Sequence, residues 1–226
     1  MPPATAPGRI TVKICGIRDA ATLTACRQAG ADMVGFVFYP PSPRAVTAAE
    51  AAGLARLAEG GPLRVGLFVD PEDGLLEAVL TQVPLDLLQL HGAESPARCA
   101  AIRARFGLPV MKAIGIGAAE DLSAIATYAP AVDRLLLDAK PAPGALPGGN
   151  AQPFAWGLLQ GVRVPRPWLL AGGLTPENVA RAIAEAGAPG VDVSSGVESA
   201  RGVKDAALIR AFVAAARGGE PPAKRG

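Results

Sequence analysis

Cys15 and Asp138 are the two side chains of this sequence best placed to pass a proton. Cys15 ends the run Val12-Lys13-Ile14-Cys15 and is followed at once by Gly16-Ile17; Asp138 ends Leu135-Leu136-Leu137-Asp138. A carboxylate closing three leucines is costly unless it is used or paired. Alternation along a strand puts Lys13 one pleat beneath Cys15, where a cation would favour thiolate and make the thiol a usable base. Two glycine-rich turns, Ala171-Gly172-Gly173-Leu174-Thr175 and Ser194-Ser195-Gly196-Val197, each precede a helix start. Their small residues let backbone amides approach an anion, and the helix dipole adds attraction, so Gly172, Gly173, Ser195 and Gly196 read as phosphate-binding. Arg44 follows the proline-stiffened Tyr39-Pro40-Pro41-Ser42-Pro43 and can fork onto a carboxylate. Gln89 and His91 share one strand face, and His91 either polarises a substrate or is a hydrogen-bonded structural residue. The plainer alternatives are a buried inert cysteine, an aspartate used as a cap, a solvated arginine and two tight turns.

Eight short apolar runs must position these groups. They are Ile10–Cys15, Met33–Phe38, Arg64–Val69, Asp86–Leu90, Pro109–Ala113, Asp133–Asp138, Trp168–Ala171 and Val191–Ser194. Continuous apolar runs suit parallel strands buried on both faces. Helix-period segments lie between them, with start signals at Asp70-Pro71-Glu72, Ser95-Pro96 and Thr175-Pro176-Glu177-Asn178. Eight strand-helix units in 226 residues predict a (β/α)8 barrel, for which ~250 residues is typical. An open doubly wound sheet is the competitor. The count of eight favours the barrel, as does the placing of the phosphate-type turns after strands seven and eight. The chain reads as one domain over 1–226, with frayed ends at 1–8 and 217–226. The long Gly/Pro-rich connection Lys140–Pro153 is a candidate lid. Gly115-Ile116-Gly117-Ala118-Ala119-Glu120 lacks the third glycine of a dinucleotide loop and follows the fifth strand, so nucleotide binding is not expected.

Half of the residues are hydrophobic and the net charge is +2, which points to neither nucleic acid nor a membrane surface as partner. No apolar run approaches the ~18 residues of a membrane helix, and Met1–Gly8 has no signal-like apolar segment. Cys15, Cys26 and Cys99 have no paired or metal-type spacing. Cys26 and Cys99 read as small core residues, and a reducing cytoplasm is the expected compartment. A single histidine excludes a histidine-rich metal site.

Six segments in order resemble the phosphoribosylanthranilate isomerase family of tryptophan biosynthesis. They are Val12-Lys13-Ile14-Cys15-Gly16, Gly35-Phe36-Val37-Phe38 with Ser42-Pro43-Arg44, Gln89-Leu90-His91-Gly92, Leu137-Asp138, Ala171 to Val179, and Asp192 to Ser199. The resemblance spans about residues 10 to 213. It implies a (β/α)8 barrel with no cofactor and no metal, acting on a small phosphosugar with no obligate protein partner. It implies the Amadori rearrangement of N-(5-phosphoribosyl)anthranilate, with Cys15 as general base, Asp138 as general acid and Arg44 on the anthranilate carboxylate. One stretch departs. Where the family usually has Gly-Gly-Thr-Gly and then Phe-Asp-Trp, this chain has Gly148-Gly149-Asn150-Ala151 and then Phe154-Ala155-Trp156. Another phosphate-binding barrel enzyme and a non-catalytic phosphosugar-binding barrel are the rival readings.

Strands one and eight are neighbours in a closed barrel. Lys13 and Asp192 are therefore expected to pair beneath the site and to hold the surroundings of Cys15 positive enough to favour thiolate. Asp192 joins the candidate substrate-binding set on this ground.

Overall fold

The structure, a computed structural model, describes residues 8–140 and 154–219. Eight parallel strands follow one another around a closed barrel in chain order. They are β1 (Thr11–Cys15), β2 (Met33–Val37), β3 (Leu63–Phe68), β4 (Leu87–Leu90), β5 (Val110–Ile116), β6 (Arg134–Ala139), β7 (Trp168–Leu170) and β8 (Gly190–Val193). Helices α1 (Ala20–Ala29), α2 (Ala48–Leu57), α3 (Asp73–Leu80), α4 (Pro96–Phe106), α5 (Ser123–Tyr128), α6 (Val179–Ala186) and α7 (Ala206–Ala216) cover the outside. Between β6 and β7 the described residues form only a single 3₁₀ turn, Trp156–Leu159, in place of a helix. A two-stranded hairpin, β9 (Glu198–Ala200) with β10 (Val203–Lys204), follows β8. No helix among the described residues is long and apolar enough to cross a membrane.

The apolar runs become strands because each can bury both faces. Val12, Ile14, Val34 and Phe36 face the helices, in one continuous core with Ile209 and Phe212 of α7. A second core fills the barrel with Met33, Val65, Leu87, Met111, Ala113, Leu136, Leu169 and Ala171. The register ties the polar groups to this inner set. Lys13 lies opposite Met33 and Asp192, Gln89 opposite Met111, and Leu136 opposite Leu169. The period of two then places Cys15, His91, Asp138 and Ser194 one pleat above Lys13, Gln89, Leu136 and Asp192, at the C-terminal mouth.

Some local expectations are corrected. Strand five runs to Ile116 rather than stopping at Ala113, because Gly115 and Ile116 pair with Asp138 and Ala139 of β6. The turn after it is closed by Asp121, whose carboxylate accepts from the N–H groups of Gly117 and Ala118. Ser95 caps α4 with Pro96 at its first position, as read. Asp70 caps nothing; α3 begins at Asp73, and Asp70 adopts a left-handed φ of 46°. Nor does the Thr175 side chain cap α6. Instead Asn178 Oδ1 accepts from Thr175 N–H while its Nδ2 donates to Gly173 O, which locks the turn. Arg217, placed at the head of the frayed end, is fixed by Gly30 O and Asp32. Of the candidate lid only Lys140 falls within the described residues, and Gly148 to Ala151 lie outside them. Trp156 is buried, with the Arg181 guanidinium of α6 over its ring at 5.3 Å.

Candidate active site

The mouth of the barrel holds a cavity lined by Cys15, Arg44, His91, Asp138, Gly172, Gly173, Asp192 and Ser194, with apolar walls from Val37, Leu67, Val69 and Leu174. Of the residues expected at a site, only Ser195 and Gly196 are absent from its lining. Gly196 packs closely against the other glycine turn, where a methyl group would run into Leu174 O. The two turns therefore meet backbone to backbone. Among the described residues, the N–H groups of Gly172, Gly173, Leu174, Ser195 and Gly196 have no hydrogen-bond acceptor. Gly172 and Gly173 both have positive φ, 89° and 63°, a conformation that glycine adopts without strain.

The thiol and the acid are each seated against a glycine. A methyl group at Gly35 would stand 2.8 Å from Cys15 Sγ and 3.3 Å from Lys13 Nζ. One at Gly172 would stand 3.0 Å from Asp138 Oδ1 and 2.5 Å from Ala139 N. Asp138 Oδ1 accepts from Ala139 N–H at 2.8 Å, and Asp138 Oδ2 lies 3.2 Å from His91 Nε2. His91 Nδ1 meets Gln89 Nε2 at 3.0 Å. Both ring nitrogens of His91 are thus engaged in the free site, which favours its structural reading over direct polarisation of a substrate. The turn that carries it is braced from below. Lys112 Nζ donates to Gly92 O and Glu94, and Glu94 accepts from the N–H groups of Gly92 and Asp70.

Lys13 and Asp192 pair at 2.7 Å, as expected of neighbours in register across β1 and β8. The expected effect on Cys15 is reversed. Burial pushes the thiol up from its ordinary value; Lys13 and Lys204 pull it down, Asp192 adds to the rise, and the net shift is upward. Desolvation is the largest influence on the thiol, and the carboxylate that satisfies Lys13 opposes the lysine's field at the sulfur. For Lys13 burial acts downward, and attraction to Asp192 and Cys15 more than offsets it. Cys26 and Cys99 are pushed up by burial to about 12 and about 11, which suits inert core thiols.

Arg44 reaches the cavity wall, but its fork is already engaged. Nε and Nη2 donate to the two oxygens of Glu198 at 2.7 and 2.9 Å. Glu198 also accepts from Lys204 Nζ, which donates further to Ser194 O and Oγ, and Ser194 Oγ donates to Cys15 O. Burial alone would raise the Glu198 carboxyl; Arg44 and Lys204 outweigh it and hold it at about 2. Sequence reasoning missed Glu198 and Lys204 as site-shaping residues. Lys204 arrives on the β9–β10 hairpin and has no local signal, whereas Glu198 stood inside a quoted motif. Gln89 was visible through its alternation with His91. Among the described residues, no three His, Cys, Asp or Glu side chains are grouped to hold a metal ion.

Fold and cavity together define a barrel of the enzyme type, with its functional groups gathered at the C-terminal ends of the strands. The family model described as N-(5'phosphoribosyl)anthranilate (PRA) isomerase matches residues 12–215. The N-(5'-phosphoribosyl)anthranilate isomerase of Paramagnetospirillum magneticum is 57% identical over 213 residues, covering 94% of this chain and 99% of that protein. The enzyme of the same name from Paracoccus denitrificans is 59% identical over 208 residues, covering 92% and 97%. Phosphoribosyl anthranilate isomerase from Thermotoga maritima superposes with a TM-score of 0.84 at 37% identity, covering 92% of this chain and 99% of that one. A structure of such an isomerase in complex with reduced 1-(o-carboxyphenylamino)-1-deoxyribulose 5-phosphate gives a TM-score of 0.81 at 36% identity over 92% and 99%. This chain belongs to the phosphoribosylanthranilate isomerase family.

Proposed function

We propose that Asp138 and Cys15 are the acid and base with which this isomerase converts N-(5-phosphoribosyl)anthranilate to 1-(2-carboxyphenylamino)-1-deoxyribulose 5-phosphate in tryptophan biosynthesis. The observation that carries the assignment is the single cavity lined by both groups, with Arg44 and the glycine turn also on its wall. Three buried, unpaired cysteines support the cytoplasm as its compartment.

Asp138 in its acid form protonates the furanose ring oxygen. The C1–O bond breaks toward that oxygen, and the nitrogen lone pair forms the C1=N bond of a cationic Schiff base. Cys15, its thiol proton having left to solvent, removes the C2 proton as thiolate; the C–H pair becomes C1=C2, and the C=N π pair returns to nitrogen. The thiol then gives its proton to C1. The proton leaving the C2 hydroxyl yields the ketone and restores Asp138.

The upward shift at Cys15 fits this order. A unit positive charge ~4 Å from the sulfur is worth about 4 kcal/mol at an effective dielectric constant of about 20. A Schiff-base cation forming beside the sulfur therefore draws the thiol toward thiolate at the step that uses it, and a neutral ligand supplies no such attraction. The open amides of the two turns suit the phosphate, whose binding energy positions the reacting carbons. The guanidinium edge of Arg44 not used by Glu198 suits the aryl carboxylate, and Asp192, on the cavity wall, suits a ribosyl hydroxyl.

The test follows the loss of phosphoribosylanthranilate fluorescence. Asp138→Asn is expected to fold and to lose ~10²-fold or more in kcat; a kcat near wild type removes Asp138 from the mechanism. Cys15→Ser is expected to lose kcat strongly with KM little changed, as for an interaction made in the transition state.

A further inference from the structure

Gln89 has no part in the chemistry assigned above, yet it is fully buried inside the barrel one pleat below His91. Its Nε2 is 3.0 Å from His91 Nδ1, and His91 Nε2 is 3.2 Å from Asp138 Oδ2. Among the described residues, the far end of its amide, Oε1, is buried without a hydrogen-bond partner. No second contact of Oε1 therefore fixes the amide's orientation against the demands of His91.

A primary amide has a donating end and an accepting end, and a neutral imidazole has one nitrogen of each kind. With the nitrogen end of Gln89 toward His91, Nδ1 accepts, Nε2 carries the hydrogen, and Asp138 meets a donor. That arrangement matches a carboxylate. A half-turn of the amide presents Oε1 with almost no change of shape. Nδ1 then carries the hydrogen, Nε2 offers a lone pair, and Asp138 meets an acceptor. That arrangement matches the carboxylic acid. The two arrangements differ by one proton, held on Asp138 in the second and absent in the first.

We propose that Gln89 is a positioning residue for the acid: acting through His91, the end of its amide that faces the ring decides whether Asp138 meets a donor or an acceptor. The observed orientation, nitrogen toward Nδ1, is the one that receives Asp138 after its proton has gone to the substrate. The half-turned orientation reloads it. The inference rests on Asp138 as the general acid, and its test reads the imidazole directly, apart from turnover.

His91 is the only histidine of the chain, so a ¹⁵N-histidine-labelled sample gives one imidazole, whose two-bond proton–nitrogen correlations show which nitrogen bears the hydrogen. In the wild-type protein without substrate at neutral pH, Nδ1 is expected bare and Nε2 protonated, the carboxylate arrangement, in which Asp138 takes up one proton before the acid step. In Gln89→Glu, whose ionised carboxylate offers only acceptors, Nδ1 is expected protonated. Gln89→Met, near in size and without hydrogen-bonding ends, is expected to lower kcat by about 10- to 100-fold, the usual effect of losing an orienting outer partner, with KM within about twofold. A protonated Nδ1 in the wild type, a bare Nδ1 in Gln89→Glu, or a wild-type kcat in Gln89→Met overturns the proposal. If Gln89→Glu does not fold, the wild-type spectrum and the kcat of Gln89→Met decide. A near-wild-type Asp138→Asn sinks the acid assignment and leaves the imidazole spectra standing, so the two failures are distinguishable.

Discussion

Cys15 and Glu198 show how far single residues depart from their free behaviour in this fold. Burial outweighs two lysines at Cys15, so the free enzyme should hold a thiol. The rate of its alkylation is therefore expected to rise only at a pH above that of an ordinary cysteine. Lys13→Met and Lys204→Met should each move the curve further up, since both lysines pull the thiol down. An unchanged alkylation profile in both variants would remove their field from the account. Glu198 works in the other direction. Its carboxyl is held at about 2, below an ordinary 4.5, so its pairing with Arg44 and Lys204 stabilises the fold fully above pH 4.5. That contribution is lost as pH falls through the window from 4.5 to about 2. Urea midpoints of the wild type should fall across this window, and Glu198→Gln should lack that part of the fall. Parallel curves would show that the carboxylate contributes nothing.

At the scale of elements, the turn after β7 meets two parts of the proposed site at once, the cavity and the seat of Asp138. It supplies open amides to the cavity and at the same time packs its backbone against the end of β6. Gly172 makes both possible, with its φ of 89° and no side chain where a methyl group would stand 2.5 Å from Ala139 N. Gly172→Ala adds a left-handed strain of about 1–3 kcal/mol and a clash that neither backbone can relieve without moving Asp138. The variant is expected to lose stability by at least that amount in urea unfolding and to lower kcat together with kcat/KM. A stable variant with altered KM alone would mean that the turn serves the phosphate and not the acid. The glycines themselves were legible in the sequence as turns. Their closeness to Asp138 was not, because it depends on β6 and β7 lying side by side in register.

At the scale of the whole molecule, closure joins residues 179 positions apart in the Lys13–Asp192 pair. The pair is inside the barrel with Lys13 fully buried. Removing one partner leaves an uncompensated buried charge, which costs about 3–5 kcal/mol. Lys13→Met is therefore expected to be destabilised by that amount in urea, while Lys13→Met with Asp192→Leu recovers most of it, because replacing a whole buried pair by apolar groups is near neutral. A double variant as unstable as the single one would show that the pair holds β1 to β8 by more than charge.

Much of this protein was written locally in the sequence. Eight apolar runs with period-two neighbours set the strands, and the same period put Cys15, His91 and Asp138 at one mouth, because successive side chains must alternate across a strand. Glycine and proline marked the turns, though Asp70 and Thr175 misled, since capping depends on where the chain turns next and not on residue type alone. Only the closed barrel decided what each group meets. It gave Arg44 to Glu198, brought Lys204 in from a hairpin, seated Cys15 on Gly35 and Asp138 on Gly172, and set burial above the field of Lys13. Pattern along a chain reports which way a side chain points. Desolvation, charge neutralisation and contact are sums over neighbours distant in sequence, and these exist only once the first strand has closed on the last.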